Sequence, residues 1–486
     1  MLLSTMLVPT AFALLFFAWR NMPRKLRNVV FVSGTCLTSL FVLLCLLNPD
    51  TQTFVFMPWA KFADGKLHLD GLGRVFAGLV AVLWPFASLY TTGYMEHEGK
   101  EGPFYGFYLL SYAVTLGIAF AGDLMTLFIF YELLALSTLF LVMHGLDAKR
   151  VHAGRKYMAY SLGGASLAFM AMQFVRYYAN GQSTFAYGGI PALNTAPFAL
   201  MLVMFVMAFF GFGVKAAVFP LHGWLPSAGV APTPVTALLH AVAVVKAGAF
   251  AVIRTSYYTF NPDMVRGTWA HTLCLIITVI GIIYGSAMAV REQHLKRRLA
   301  FSTMSNLSYV LFGCMLLTQQ GLTGSLLHMV FHAFMKITLF ACVGAMMIQA
   351  GRSYVEDLRG MGKVMPVTMA IFSLSSVMLV GIPPFLGFQS KWFLATAALS
   401  TGSWIGYLGV GALIISAILT AIYLLVPSMT AYFQPLSDSK PLPTGVREPD
   451  YRMLLPLIAW AVMALILTVA SGWVVDILSQ VAGGVY

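Results

Sequence analysis

The stretch GVKAAVFPLHGWLPSAGVAPTPVTALLHAVAVVKAGAFAVIR, residues 213–254, is apolar enough for hydrocarbon, yet it carries Lys215 and Lys246. Pro220, Pro226, Pro232, Pro234, His222 and His240 lie between the two lysines. Ammonium groups and helix breakers are both costly inside a bilayer. A chain that keeps them there must use them.

The setting follows from composition. Of 486 residues, 59% are hydrophobic and 9% are charged, and the mean hydropathy is +0.82. A soluble protein of this size could not clothe itself with so little polar surface. Apolar runs of roughly 18 to 25 residues, each long enough to span hydrocarbon, recur from end to end. The chain reads as an all-α, multi-pass membrane protein of about fourteen spans. They lie near 2–19, 28–47, 70–93, 104–122, 124–144, 157–177, 198–220, 233–255, 270–290, 300–318, 323–349, 366–397, 405–430 and 453–478.

A net charge of +12 would suit nucleic acid, but its distribution argues for topology instead. Lys and Arg crowd alternate loops: Arg20, Arg24, Lys25 and Arg27, then Lys149, Arg150, Arg155 and Lys156, then Arg291, Lys296, Arg297 and Arg298. The intervening loops and their edges hold few: Lys61, Lys66, Arg74, Arg176, Arg254 and Arg266. The positive-inside rule puts the first set in the cytoplasm, so both termini are expected on the outer side of the cell (plasma) membrane. Cys36, Cys45, Cys274, Cys314 and Cys342 are scattered through apolar spans without a CxxC pair, which argues against an iron–sulfur or zinc site. The longest polar stretches, near 48–69, 178–197 and 434–452, are too short for a nucleotide or redox domain, so no cofactor is expected. Function must lie inside the membrane.

Glu132, in LMTLFIFYELLALSTLFLV, sits about eight residues into its span, roughly 12 Å deep. Lys215, Lys246, Lys336 and Lys391 also fall within spans. Snorkelling or static pairing could hold some of these charges, but five on one chain point to a relay. Burial disfavours an ammonium and a nearby carboxylate favours it, so a lysine pulled both ways can change protonation when its partner moves. His240 extends such a relay, and HMVFHAFMK puts His328, His332 and Lys336 on one helix face at i, i+4 and i+8. That spacing also suits a metal, but no carboxylate or third ligand stands nearby, so no metal is expected. Pro220 interrupts the seventh span after Lys215, and Pro383 and Pro384 interrupt the twelfth before Lys391. Broken backbone at membrane depth is tolerated where it is buried or lines water. Two interrupted spans five apart are what an inverted repeat would produce, spans four to eight against nine to thirteen.

These stretches resemble the antiporter-like subunits shared by respiratory complex I, Mrp-type sodium/proton antiporters and membrane-bound energy-converting hydrogenases. The matching segments are FIFYELLALSTLFLV, the opening stretch, HLKRRLAFSTMSNLSYVLFG, HMVFHAFMKITLFACVGAM and GIPPFLGFQSKWF. The resemblance implies fourteen helices, two inverted five-helix repeats at 104–256 and 270–430, three leading helices within 1–103, and a linker plus last helix at 431–486. It implies no redox centre in this subunit, and partners that are other membrane subunits. By motif position, Glu132 and Lys215 would be the modulating pair, Lys246 the central lysine, Lys336 the second-half lysine and Lys391 the terminal one. Two positions depart from the pattern: Ser227 after WLP and His294 ahead of the KR loop, where relatives often carry Asp. Both lie toward the predicted cytoplasmic side, where protons would be taken up. The expected function is proton translocation, in some parents exchanged for sodium, within a larger complex. A stand-alone transporter of a small solute is the runner-up, but it would call for a substrate-shaped pocket. A purely structural anchor leaves five buried charges unexplained.

Overall fold

Within hydrocarbon every backbone N–H and C=O must find its partner inside the chain, so the apolar runs become helices. The computed structural model describes residues 2–48, 53–56, 65–181, 183–436 and 445–484, without the side chains of Leu239 and His240. The helices are α1 (Leu2–Ala18), α2 (Arg24–Leu47), α3 (Gly71–Met95), α4 (Glu101–Ala119), α5 (Leu124–Val142), α6 (Ala148–Tyr178) and α7 (Phe198–Gly213). Then follow α8 (Trp224–Ser227), α9 (Thr233–Ala241), α10 (Val244–Arg254), α11 (Pro262–Val265), α12 (Trp269–Arg291), α13 (Leu295–Met315) and α14 (Gln319–Ala350). The last are α15 (Met361–Val364), α16 (Pro366–Val380), α17 (Leu386–Ser400), α18 (Trp404–Phe433), α19 (Tyr451–Val469) and α20 (Ser471–Ala482). Among the described residues, eight helices are individually long and apolar enough to cross a membrane.

Several of the scarce acids are spent on helix starts. Asp70 accepts from Gly73 N at 2.9 Å, Asp123 from Thr126 N at 2.8 Å and Asp147 from Arg150 N at 2.9 Å, so α3, α5 and α6 begin with capped amides. The exposed surface is apolar where the helices meet lipid; Ile414, Ile415, Ile418 and Ile422 line the outside of α18. At the centre runs α14, almost wholly buried and packed by α9, α13, α16, α17, α19 and α20. Its His328, His332 and Lys336 therefore face protein on all sides.

The described chain departs from the sequence reading in four places. A two-stranded antiparallel hairpin, Phe54–Val55 with Lys66–Leu67, interrupts the all-helical expectation in the 48–69 stretch. The eighth expected span, read as continuous, breaks at Val242–Ala243 between α9 and α10, because Ala243 N turns back to Leu238 O one residue beyond the helical register. The last span ends at Val469, and α20 starts two residues later. Four cations assigned to loops by the sequence are buried: Arg352, Lys296, which donates to Ala231 O at 3.0 Å, Arg298, which donates to Tyr423 O at 2.8 Å, and Arg254, which pairs with Asp70. Lys61, counted with the outer loops, lies outside the described residues.

Candidate proton relay

The first cluster joins α5 to the end of α7. After Gly213 the chain leaves the helix until Trp224, and Lys215 is the second residue of that break. The Lys215 side chain is fully buried, while Glu132 is a quarter exposed; Nζ stands 3.4 Å from Glu132 Oε1 and donates to Tyr131 O. The same ammonium lies 3.2 Å from the Tyr131 ring centroid, a cation–π contact that favours the charged form. Tyr131 OH in turn donates to Phe212 O at 2.8 Å and ties α5 to the last turn of α7. Trp224 Nε1 reaches back to Val214 O at 2.9 Å and fixes the path of the broken backbone.

The second cluster is built on α14. Gly248 lets α10 close on the broken segment: a Cβ there would lie 2.3 Å from Ala216 N. Two residues earlier, Lys246 is fully buried and its Nζ is 2.7 Å from His332 Nδ1. His332 stacks on His328 one turn away, with ring centroids 5.9 Å apart and planes at 23°. His328 is held on both nitrogens: Nδ1 is 2.9 Å from Ser390 Oγ and Nε2 is 3.1 Å from Asn306 Oδ1. Asn306 Nδ2 donates to Ser302 O at 2.8 Å, so its oxygen must face the imidazole. Nε2 then carries the hydrogen, while Nδ1 shares its hydrogen bond with a Ser390 hydroxyl that also reaches Gly387 O at 3.3 Å. Tyr309 stacks on His328 at 5.1 Å.

Ser390 is followed on α17 by Lys391. Lys391 Nζ donates to Leu379 O at 3.0 Å and Val380 O at 2.8 Å, the last carbonyls of α16. Those carbonyls lack intrahelical partners and carry the negative end of the helix dipole, so a cation suits them. Gly387 makes this close approach of α17 to α16 attainable; a Cβ there would lie 1.9 Å from Met378 O. Lys336 forms a branch: Nζ donates to Ser302 Oγ at 2.6 Å and Leu299 O at 3.2 Å, and Ser302 passes a hydrogen bond to Tyr423 OH at 2.7 Å.

Of the eight residues singled out by sequence, the structure thus gathers Glu132 with Lys215, and Lys246 with His332 and His328. Lys336 sits at the end of a hydrogen-bonded arm through Ser302 and Asn306, while Lys391 follows Ser390 on α17 and bonds to the end of α16. His240 is on α9, and its side chain is outside the described set. Sequence reasoning missed Ser302, Asn306, Tyr309, Ser390 and Tyr423. The signal for three of them was present in STMSNLSYV: positions 302, 306 and 309 share one face of α13. It also missed the buried fork of Arg254 on Asp70, with Nη2 to Oδ1 at 2.6 Å. Burial alone would raise the Asp70 carboxyl, but the Arg254 guanidinium outweighs it and holds the group below its ordinary value. At the departing positions, Ser227 Oγ donates to Gly223 O at 3.0 Å. Burial first, and the Lys296 charge second, push His294 below the ordinary imidazole value, so it is neutral near pH 7 where an Asp would be charged.

These features define a polytopic helical membrane protein with a line of buried lysines and histidines through its core. Residues 121–420 match the family described as "NADH:quinone oxidoreductase/Mrp antiporter, TM", and the chain belongs to that family. It is 30% identical over 448 residues to NADH-quinone oxidoreductase subunit N of Desulforudis audaxviator (strain MP104C), covering 87% of each chain. It is 31% identical over 356 residues to hydrogenase-4 component B of Escherichia coli (strain K12), covering 70% of this chain and 52% of that one. Among solved structures, a chain of the Mrp complex from Dietzia sp. DQ12-45-1b superimposes with a TM-score of 0.86 at 24% identity, over 99% of this chain and 52% of that one. A chain of the membrane-bound sulfane sulfur reductase, an archaeal respiratory membrane complex, gives 0.86 at 21% identity over 99% and 97%.

Proposed function

We propose that this chain is the proton-translocating, antiporter-like subunit of a multisubunit membrane complex, coupled to redox chemistry or cation exchange in partner subunits. The observation that carries the reading is the cluster Lys246, His332, His328 and Ser390, buried at the centre of the helix bundle, with half-buried Lys391 next to Ser390 on α17. Around it, Glu132 and Lys215 act as the modulating pair, Lys336 as a branch and His240 as an extension beyond Lys246. Separation of Lys215 from Glu132 leaves a second cation near the core, which disfavours the charge on Lys246; its return restores it. Each lysine is a group whose charge depends on its neighbour.

The same reading takes the chain through the membrane fourteen times, with repeats at 104–256 and 270–430 related by inversion. The helix break beside Lys215 and the one before Lys391 support it, as they fall in the seventh and twelfth spans, at corresponding places in the two repeats. Both termini face outward from the plasma membrane, and protons leave past Lys391 toward that side. Where the parent complex exchanges cations, sodium is the counter-ion.

Lys246→Arg is the decisive variant. Arginine keeps its proton at any working pH, so it preserves charge and removes release. In vesicles carrying the parent complex, proton uptake should fall at least about ten-fold while assembly is retained, since a positioned proton carrier contributes about a hundred-fold or more. Wild-type uptake in this variant would show that Lys246 is structural and that the relay runs elsewhere.

A further inference from the structure

The turn between α1 and α2 and the turn between α3 and α4 border an open cavity of about 770 Å³ that no part of the relay touches. Its lining divides by chemistry. Phe16, Phe17 and Phe107 form an apolar wall, and Arg20, Arg24, Arg27 and Lys100 bring positive charge. Glu96 and Glu101 also reach the space, but they are engaged: Arg24 lies 3.4 Å from Glu96 and 2.9 Å from Glu101, Arg27 pairs with Glu101, and Arg452 lies 2.6 Å from Glu96. The lining itself thus holds four cations against two carboxylates, and one of those carboxylates is also held by Arg452. Arg20 and Lys100 form no ion pair among the described residues, and the buried Arg27 Nε has no hydrogen-bond partner there.

Two further features favour an anion. Both α2 and α4 start on the cavity wall, at Arg24 and Glu101, and neither has a side-chain cap for its first amides. Their positive dipole ends add to the guanidinium field. The depth is that of the membrane interface, because exposed Trp19 precedes Arg20 at the end of α1, and exposed Leu14 and Leu15 lie one turn deeper. A free anion would have no use for the aromatic wall. A lipid has use for both halves, and basic pockets between membrane helices suit anionic head groups.

We propose that this cavity binds an anionic phospholipid, with its phosphate against Arg20, Arg27 and Lys100 and its acyl chains leaving over Phe17 and Phe107. The test uses the intact complex, delipidated in detergent and titrated with fluorescent phosphatidylglycerol or phosphatidylcholine. Phosphatidylglycerol should bind saturably and phosphatidylcholine should not. The double variant Arg20→Gln/Lys100→Gln breaks no ion pair, and it should bind phosphatidylglycerol about 30-fold more weakly, at about a factor of five per basic side chain. Lys25→Gln, the same charge change on α2 outside the cavity lining, should leave binding unchanged. Equal affinity for the two lipids would overturn the proposal, as would undiminished binding in the double variant. Displacement of the lipid by equimolar inorganic phosphate would also overturn it and assign the cavity to free phosphate.

Discussion

At the scale of single residues, the lysines within the bundle differ in what holds them. Lys215 has a carboxylate and an aromatic face, Lys246 an imidazole nitrogen, Lys336 a hydroxyl, and Lys391 two helix-end carbonyls. Two carbonyl dipoles stabilise an ammonium less than a full negative charge does, so Lys391 is placed to hold a proton without trapping it. The role proposed for it separates capping from release. Lys391→Arg keeps a cation over Leu379 and Val380 and should preserve thermal stability while proton uptake falls. Lys391→Met removes both functions; it should abolish uptake and also lower stability by about 1–3 kcal/mol, the usual cost of stranding a buried acceptor. Both variants are to be compared by thermal unfolding in detergent and by uptake in vesicles. Full uptake in the Met variant would leave Lys391 a snorkelling side chain.

At the scale of elements, the interruptions do the positioning. The break after α7 frees backbone around Lys215, the break between α9 and α10 lies three residues before Lys246, and the break between α16 and α17 exposes the carbonyls that Lys391 caps. Glycine sets how closely the pieces approach. In Gly387→Ala the new methyl meets Met378 O and must push α17 outward, because a backbone atom cannot swing aside as a side chain can. That shift should weaken the Lys391 contacts and the Ser390–His328 hydrogen bond together. Proton uptake should drop several-fold, and the unfolding midpoint should fall by an amount matching about 1–3 kcal/mol. Gly163→Ala is the control: a Cβ there meets nothing within 4 Å, so alanine should be neutral or slightly stabilising. Equal behaviour of the two variants would show that the α16–α17 contact does not position the relay.

At the scale of the whole molecule, charge distribution underlies the proposed orientation, and a few ion pairs tie distant helices together. Arg452 at the start of α19 forks onto Glu96 at the end of α3, at 2.6 and 2.9 Å, so the late helix is anchored to an early one. The proposed orientation is testable by labelling. Cysteine placed at Asp263, in the exposed turn before α12, should react with a membrane-impermeant maleimide on intact cells. Cysteine placed at Lys149, at the exposed start of α6, should react only after the cells are opened. Both belong in a background without the five native cysteines, since Cys36 is exposed. The reverse pattern would invert the topology and with it the proposed direction of proton release.

The amino-acid sequence by itself determined the membrane setting, the helical class, the family and the eight titratable residues of interest. Each of these rests on composition, on one-dimensional spacing or on a local motif, and hydrocarbon leaves a chain few alternatives to helix. The relay's wiring was not legible there. That His332 meets Lys246, that Ser390 and Asn306 hold His328, and that Lys391 caps α16 all depend on contacts between residues far apart in sequence. Ser302, Asn306 and Ser390 are unremarkable as letters, and only the packing of α13 and α17 against α14 turns them into partners. The burial of Lys296, Arg298 and Arg254 was hidden for the same reason: charge near a span end reads as loop until tertiary structure supplies Ala231, Tyr423 and Asp70 to receive it. Periodicity tells which face a residue occupies; the neighbour across that face is chosen by the fold.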